Sequence, residues 1–328
     1  MLDLSNSDVA FAIESVKQTA GVAREVQQEL TGESLTKDDR SPVTVADFGV
    51  QAIVGCLFER MMPGDALVGE EDASVLRTED AAETRAKVAE FVGRHLAHAT
   101  EETVCAWIDR GGGAPASRFW TLDPIDGTKG FLRREQYAIA LALIVDGVVQ
   151  IGVLGCPNLV DAHKQELDGA GSLIAAVRGQ GTWTAPLTGE GEWRQLRVSE
   201  CSDAAEARLL RSVESGHTNV DRMGKVAAEL GVHGEPVRMD SQAKYGVLAA
   251  GAGEILFRLL SPKQPDYEER IWDQAAGSIV AEEAGGRITD LSGKPLDFSQ
   301  GRTLAKNRGV LATNGHLHDV ALQGLAAT

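Results

Sequence analysis

The chain reads as a layered protein of mixed α+β and α/β order. Three features lead to that class: apolar residues at helical spacing through roughly the first sixty positions, a series of antiparallel strand segments in the middle, and strand–helix alternation in the last third.

In the first 30 residues Val9, Ile13, Val16, Val22 and Val26 mark one helical face. After Pro42 a second amphipathic segment reaches about Met62, with Val43, Ala46, Val50, Ile53, Val54 and Leu57 as inward positions. Residues 66–68 form a short strand that ends at Gly69, Glu70 and Glu71. Residues 72–118 are rich in Ala, Glu and Arg and close in three glycines at 111–113, so they read as a helical insertion and connector with a solvated face.

From Arg118 the pattern turns to strand, with Phe119, Trp120, Thr121 and Leu122 running into Asp123, Pro124, Ile125, Asp126, Gly127, Thr128 and Lys129. Strand segments 137–145 and 148–154 meet at Asp146-Gly147, a hairpin signal that also argues against reading this apolar run as a membrane span. Residues 173–177 and 182–184 continue the strands, and a glycine-rich region around 188–202 marks the boundary between an amino-terminal part, 1–195, and a carboxy-terminal part, 196–328. In the latter, strands at 209–213, 237–239, 255–259, 286–289 and 309–313 alternate with helical patterns at 220–230, 242–252 and within 271–284.

The 328 residues are 43% hydrophobic and 24% charged, a globular balance. With 48 acidic and 32 basic residues the formal charge is −16, which disfavours a polymeric nucleic-acid partner but leaves a small anion open, because bound cations can reverse the sign of a pocket. Cys56, Cys105, Cys156 and Cys201 form no Cys-x-x-Cys pair, and no secretory leader is recognisable; reduced thiols in a cytoplasmic protein without a membrane anchor are expected.

The densest chemical signal is Asp123-Pro124-Ile125-Asp126-Gly127-Thr128. A strand running into a proline and then a glycine sets two carboxylates around a rigid turn where both can face one cation; magnesium prefers such oxygens, and the Ile125 carbonyl could add another. Gly127 and Thr128 could open a helix and offer N–H groups and a hydroxyl to phosphate. An ordinary Asx turn with Thr128 as a cap explains the same residues. Glu70 could be merely solvated, Asp47 a helix-terminal charge and Asp273 a helix cap. Spacing alone does not separate these alternatives.

The segments Ser41-Pro42-Val43-Thr44-Val45-Ala46-Asp47, Val68-Gly69-Glu70-Glu71, Trp120-Thr121-Leu122-Asp123-Pro124-Ile125-Asp126-Gly127-Thr128-Lys129-Gly130-Phe131 and Ile271-Trp272-Asp273-Gln274-Ala275-Ala276-Gly277 together resemble the magnesium-dependent, lithium-sensitive phosphatase superfamily that includes inositol monophosphatase. Within it they are most similar to the 3′(2′),5′-bisphosphate nucleotidases. The resemblance implies the inositol-monophosphatase-like (sugar phosphatase) fold, a sandwich of alternating helix and sheet layers. It also implies Mg2+ held by Glu70, Asp123, Asp126, Asp273 and the Ile125 carbonyl, with Asp47 and Thr128 orienting or deprotonating the attacking water.

The stretch Met239-Asp240-Ser241-Gln242-Ala243-Lys244-Tyr245-Gly246 resembles the substrate loop of the nucleotidase subgroup, and Arg258 matches as well. Gly127, Thr128, His217, Asp240, Ser241, Lys244 and Arg258 are thereby expected to bind substrate; without the resemblance His217 would read as an ordinary loop histidine. His316 and His318 do not make a zinc shell. The implied activity is hydrolysis of adenosine 3′,5′-bisphosphate to AMP and phosphate by a monomer, with 3′-phosphoadenylyl sulfate as a further substrate. Inositol phosphate hydrolysis and a regulatory nucleotide-binding protein with little turnover are the competing expectations.

Overall fold

The computed structural model describes residues 1–30, 41–213 and 219–328. It opens with helices α1, Ser7–Leu30, and α2, Ser41–Met61, where the helical spacing placed them. In α1 the marked positions Val9, Val16, Val22 and Val26 are buried and Ile13 packs at the margin; in α2 all six inward positions are buried. Strand β1, Ala66–Gly69, follows, then α3, Ala82–Gly93, and α4, Glu101–Asp109.

These two helices are more than a charged insertion. Val88, Phe91, Val92, Val104, Cys105 and Ile108 enter the same core as α2, while the acidic and basic residues between them stay outside. At Gly55 of α2 the Trp107 carbonyl comes so near that an added Cβ would sit 2.0 Å from it, so only glycine permits that approach. The turn after α4 then covers the outer edge of β1: Gly69 N–H donates to the Gly111 carbonyl at 2.8 Å and Gly113 N–H to Leu67 at 2.9 Å.

Strand β2, Arg118–Asp126, extends further than the sequence indicated. Pro124 was expected to end the strand in a turn; instead it lies where the register against the next strand shifts between Asp123 and Asp126, because a bulge tolerates a residue with no N–H to give to the ladder. The short helix α5, Thr128–Leu132, begins at Gly127, whose φ of 93° is left-handed. Strands β3, Ala138–Val145, and β4, Val148–Cys156, form the expected hairpin, with Asp146 at φ 49° and Gly147 at φ 75°, as a two-residue turn of matching twist requires.

A small β5–β6 pair, Leu159–Val160 with Lys164–Gln165, precedes β7, Ser172–Val177, β8, Gly181–Pro186, and β9, Arg194–Leu196. The first sheet has the order β1-β2-β3-β4-β7-β8-β9, with β1 parallel to β2 and the other pairs antiparallel.

The rest of the chain supplies β10, Leu209–Arg211, α6, Val220–Glu229, β11, Val237–Arg238, α7, Ala243–Ala249, β12, Ile255–Arg258, α8, Ala275–Glu283, β13, Arg287–Thr289, β14, Val310–Thr313, and α9, His318–Ala326. The second sheet runs β11-β10-β12-β14-β13. Helices α1 and α2 cover one face of the first sheet, α7 and α8 fill the space between the sheets, and α6 and α9 cover the far side of the second. Five alternating layers result, the sandwich implied by the motifs. Among the described residues no helix is long and apolar enough to cross a membrane.

Candidate functional site

The parallel pairing of β1 with β2 is what brings the acids together. Its register sets Gly69 opposite Leu122, so the chain leaves the two strands in the same direction with Glu70 beside Asp123. Glu70 N–H donates to the Leu122 carbonyl at 3.2 Å, continuing the ladder to the edge of the site. Asp126 follows on the bulged end of β2, and Asp273 arrives from between the sheets, just before α8. Glu70, Asp123, Ile125, Asp126 and Asp273 line a single cavity of about 390 Å³.

So many carboxyls in a small volume resist ionising together. Burial pushes Asp123 well above the usual carboxylate range, reinforced by Glu70, Asp126, Asp273 and Asp47. Glu70, crowded by protein although its carboxylate opens to the cavity, is raised by desolvation and by Asp126, while Asp123 and Arg270 draw it back. Asp273 is raised mainly by burial, against the pull of Arg258. Asp126 is raised by burial while Lys244 draws it back.

Asp47 lies in α2, which packs against α5 where Thr128 is the exposed first residue. Burial, then Glu71 and Glu70, raise Asp47 well above its ordinary value. Glu71, to which no role was assigned from sequence, is raised to about 7 by desolvation and by Glu70. Its backbone is gripped by Gln51, one helical turn beyond Asp47: Glu71 N–H donates to Gln51 Oε1 at 3.0 Å, and Gln51 Nε2 donates to the Glu71 carbonyl at 2.7 Å. Gln51 also reaches the Ile108 carbonyl, so α2 fixes both Asp47 and the end of β1.

Cations occupy the same cavity. Lys244 is half-buried, and its partial desolvation lowers its pKa to about 8 despite the nearby Asp126 and Asp240. Burial opposes the charge on Arg258, yet Glu269 and Asp273 keep it firmly protonated. Arg258 Nε donates to both Glu269 oxygens at 3.1 Å, and its Nη2 lies 3.9 Å from Asp273. Glu269 also accepts from Gln274 Nε2 at 3.0 Å, and Gln274 in turn accepts from the Tyr245 hydroxyl at 2.5 Å.

Ser241, at φ 71°, takes a left-handed conformation uncommon for a side chain of its kind, with Gly127 directly against it; a Cβ at Gly127 would sit 2.8 Å from Ser241 Cβ. Asp240 also lines the cavity, but its carboxylate pairs with Arg133 and accepts from Val213 N–H at 3.2 Å. The expectation for His217 falls outside the described residues.

Sequence reading passed over Gln242. Its N–H donates to Asp126 Oδ2, its Nε2 to the Trp272 carbonyl at 2.9 Å, and its Oε1 accepts from Gly277 N–H at 2.9 Å. One buried amide thus ties Asp126 to the residue preceding Asp273. Gln51 and Gln242 act across long sequence separations, and an amide within a substrate-loop motif carries no local mark of that role.

The donor set suits a hard divalent cation, being carboxylate oxygens and one carbonyl. Asp123 Oδ1 is buried with no hydrogen-bond partner, an arrangement costly for an anion unless a cation satisfies it. As the side chains stand, no three His, Cys, Asp or Glu among the described residues are drawn into a ready-made shell.

The profile of the Inositol monophosphatase family matches residues 5–326. A 3′(2′),5′-bisphosphate nucleotidase of Schizosaccharomyces pombe is 40% identical over 98% of this chain and 96% of its own length, and one of Oryza sativa is 41% identical over 95% and 91%. Among solved structures, the extragenic suppressor protein suhB of Bartonella henselae superposes with a TM-score of 0.64 at 17% identity, covering 98% of this chain and 99% of that one. An inositol monophosphatase from Anabaena gives 0.61 at 20%, covering 100% and 98%. At such identities the superpositions speak for the fold alone. The sequence match along nearly the whole length settles the lineage: the chain belongs to the inositol monophosphatase family.

Proposed function

We propose that the chain is a magnesium-dependent phosphomonoesterase that removes the 3′-phosphate of adenosine 3′,5′-bisphosphate, giving AMP and inorganic phosphate, and that also accepts 3′-phosphoadenylyl sulfate. The observation that carries the reading is a cavity in which a cluster of oxygen donors adjoins two half-buried cations, Lys244 and Arg258. Such a cavity suits a substrate with two anionic groups, one to be cleaved and one to be held. The bisphosphate nucleotidases named above, similar along nearly their whole length, support the same choice.

Glu70, Asp123, Asp126, Asp273 and the Ile125 carbonyl would hold magnesium. When bound, it supplies Lewis acidity, withdrawing charge from the phosphoryl oxygens and making water a better nucleophile. Asp47 and Thr128 orient that water, and the raised proton affinity of Asp47 suits a group that accepts its proton as the new oxygen–phosphorus bond forms. The bond from phosphorus to the 3′-oxygen breaks, the leaving oxygen takes a proton from solvent water to become the 3′-hydroxyl of AMP, and Asp47 returns its proton to solvent.

Lys244, Arg258 and Ser241 hold the remaining 5′-phosphate. Arg258 suits that task because Glu269 fixes its Nε side and orients the rest of the fork. Leu132, Leu256 and Tyr267 give the cavity apolar surface for a base. In this reading residues 1–195 contribute most of the acids and residues 196–328 the anion contacts, in a monomeric cytoplasmic enzyme with no polymeric nucleic-acid partner. The test is a kinetic panel of bisphosphate nucleotide, its sulfated relative, inositol 1,4-bisphosphate and inositol monophosphate. Preference for either inositol compound would overturn the nucleotidase reading.

A further inference from the structure

We propose that Arg302 is a positioning residue for the carboxylate cluster, locking Glu70 and Asp273 into one frame although they come from opposite sides of the cavity. The inference rests on the reading of those acids as magnesium ligands.

Arg302 Nη2 donates to the Gly69 carbonyl at 2.5 Å. That carbonyl belongs to the same planar peptide unit as the Glu70 N–H, which donates to Leu122. The unit that launches Glu70 is therefore held from two sides, by β2 and by Arg302. The Arg302 guanidinium also lies over the Trp272 ring, 4.9 Å from its centroid, and Trp272 directly precedes Asp273. The backbone adds a third tie: Ile271 N–H donates to the Arg302 carbonyl at 3.2 Å, and Leu304 N–H to Glu269 at 2.8 Å, so residues 302–304 run as a short antiparallel partner to 269–271.

This placement is electrostatically unfavourable, which argues for a purpose. Arg270 lies 5.8 Å from the same Trp272 ring, and burial together with the Arg270 charge lowers the proton affinity of Arg302. A planar guanidinium can nevertheless stack on an indole and donate in its own plane at the same time, a combination that a lysine ammonium lacks. Gln242 pins the Trp272 carbonyl while Arg302 packs on its ring, so the residue before Asp273 is held at both backbone and side chain.

Charge and geometry give opposite expectations, and that makes the inference testable. If Arg302 acted only as a nearby cation, removing its charge would tighten magnesium binding; if it holds Glu70 and Asp273 in place, removal weakens binding. Isothermal titration of magnesium into the chelator-treated full chain reads this without turnover. Groups that orient metal ligands typically contribute about 10- to 100-fold in affinity, and a loss of at least about tenfold is expected for Arg302→Met. A loss of about threefold or more is expected for Arg302→Lys, which keeps the charge but not the planar contact and serves if the methionine variant does not fold.

Asp123→Asn is titrated alongside. If it binds magnesium as tightly as wild type, the carboxylate site itself fails and the proposal with it. If Asp123→Asn loses binding while the Arg302 variants bind as well as wild type or better, the site stands and the role of Arg302 is overturned. Weakened binding in the Arg302 variants, with thermal unfolding in chelator close to wild type, supports it.

Discussion

Asp123→Asn should make the metal-free protein more stable while abolishing its response to magnesium. Asp123 is 3% exposed, its Oδ1 has no partner, and its carboxyl is raised well above 3.8 by burial and by neighbouring acids. Because its folded pKa exceeds the unfolded one, its contribution to stability is complete below about pH 4 and is lost as pH rises through the folded value. Glu71, raised from 4.5 to about 7, adds a loss of the same sign between those values, and the acids titrate together. Metal-free wild type should therefore weaken as pH rises from about 4.

An asparagine cannot ionise and resembles the protonated acid, so it escapes that loss. Both side chains leave a buried polar atom unpaired, which costs roughly 1–3 kcal/mol when neutral and more when charged, so with repulsion from the other acids a difference of about 2–3 kcal/mol is expected. At about 2.1 cal/mol/K per residue, unfolding 328 residues carries an entropy of about 0.7 kcal/mol/K, so 2–3 kcal/mol corresponds to roughly 3–4 °C. Calorimetry in chelator should show the variants nearly equal at or below about pH 4 and Asp123→Asn higher by about that amount at about pH 8. Magnesium at about a thousand times its Kd should reverse the order, since it adds about 4.1 kcal/mol to wild type alone. A variant less stable than wild type in chelator at the higher pH, or a difference that does not change with pH, would refute the electrostatic reasoning.

Asp47→Asn should retain magnesium and substrate binding while kcat falls by about 10²- to 10⁴-fold, the usual worth of a positioned proton acceptor, as single-turnover kinetics would show. Lys244→Ala and Arg258→Ala should each weaken the bisphosphate by about tenfold in kcat/KM, because a charge-assisted contact is worth roughly 1.5–3 kcal/mol, with little effect on inositol monophosphate in the same assay. Phosphate release titrated against each ion should show activation by magnesium, poor replacement by calcium with its larger and looser coordination, and inhibition by lithium.

Much of this was legible in the sequence, and the remainder was hidden for identifiable reasons. Helical spacing found α1 and α2 because each buries one periodic face, and Asp146-Gly147 found the hairpin because its turn demands left-handed residues. The acids of the cavity were visible as motif members. Their convergence was not, because the parallel register of β1 and β2 is a long-range pairing with no local signature. Pro124 suggested a turn, but backbone pairing on both sides of the bulge carried β2 through it. The charged surface of 72–118 obscured how deeply Phe91, Val104 and Ile108 pack against α2. Gln51, Gln242 and Arg302 act by holding backbone far away in sequence, and only the folded arrangement reveals them.

The most direct measurement is product identification by phosphorus NMR when the purified full chain meets adenosine 3′,5′-bisphosphate with magnesium and, in parallel, with chelator. AMP carrying its 5′-phosphate and an equal amount of inorganic phosphate should appear only with magnesium, far faster than phosphate is released from inositol monophosphate. Undiminished turnover in chelator, loss of the 5′-phosphate instead, or a preference for the inositol compound would contradict the assignment.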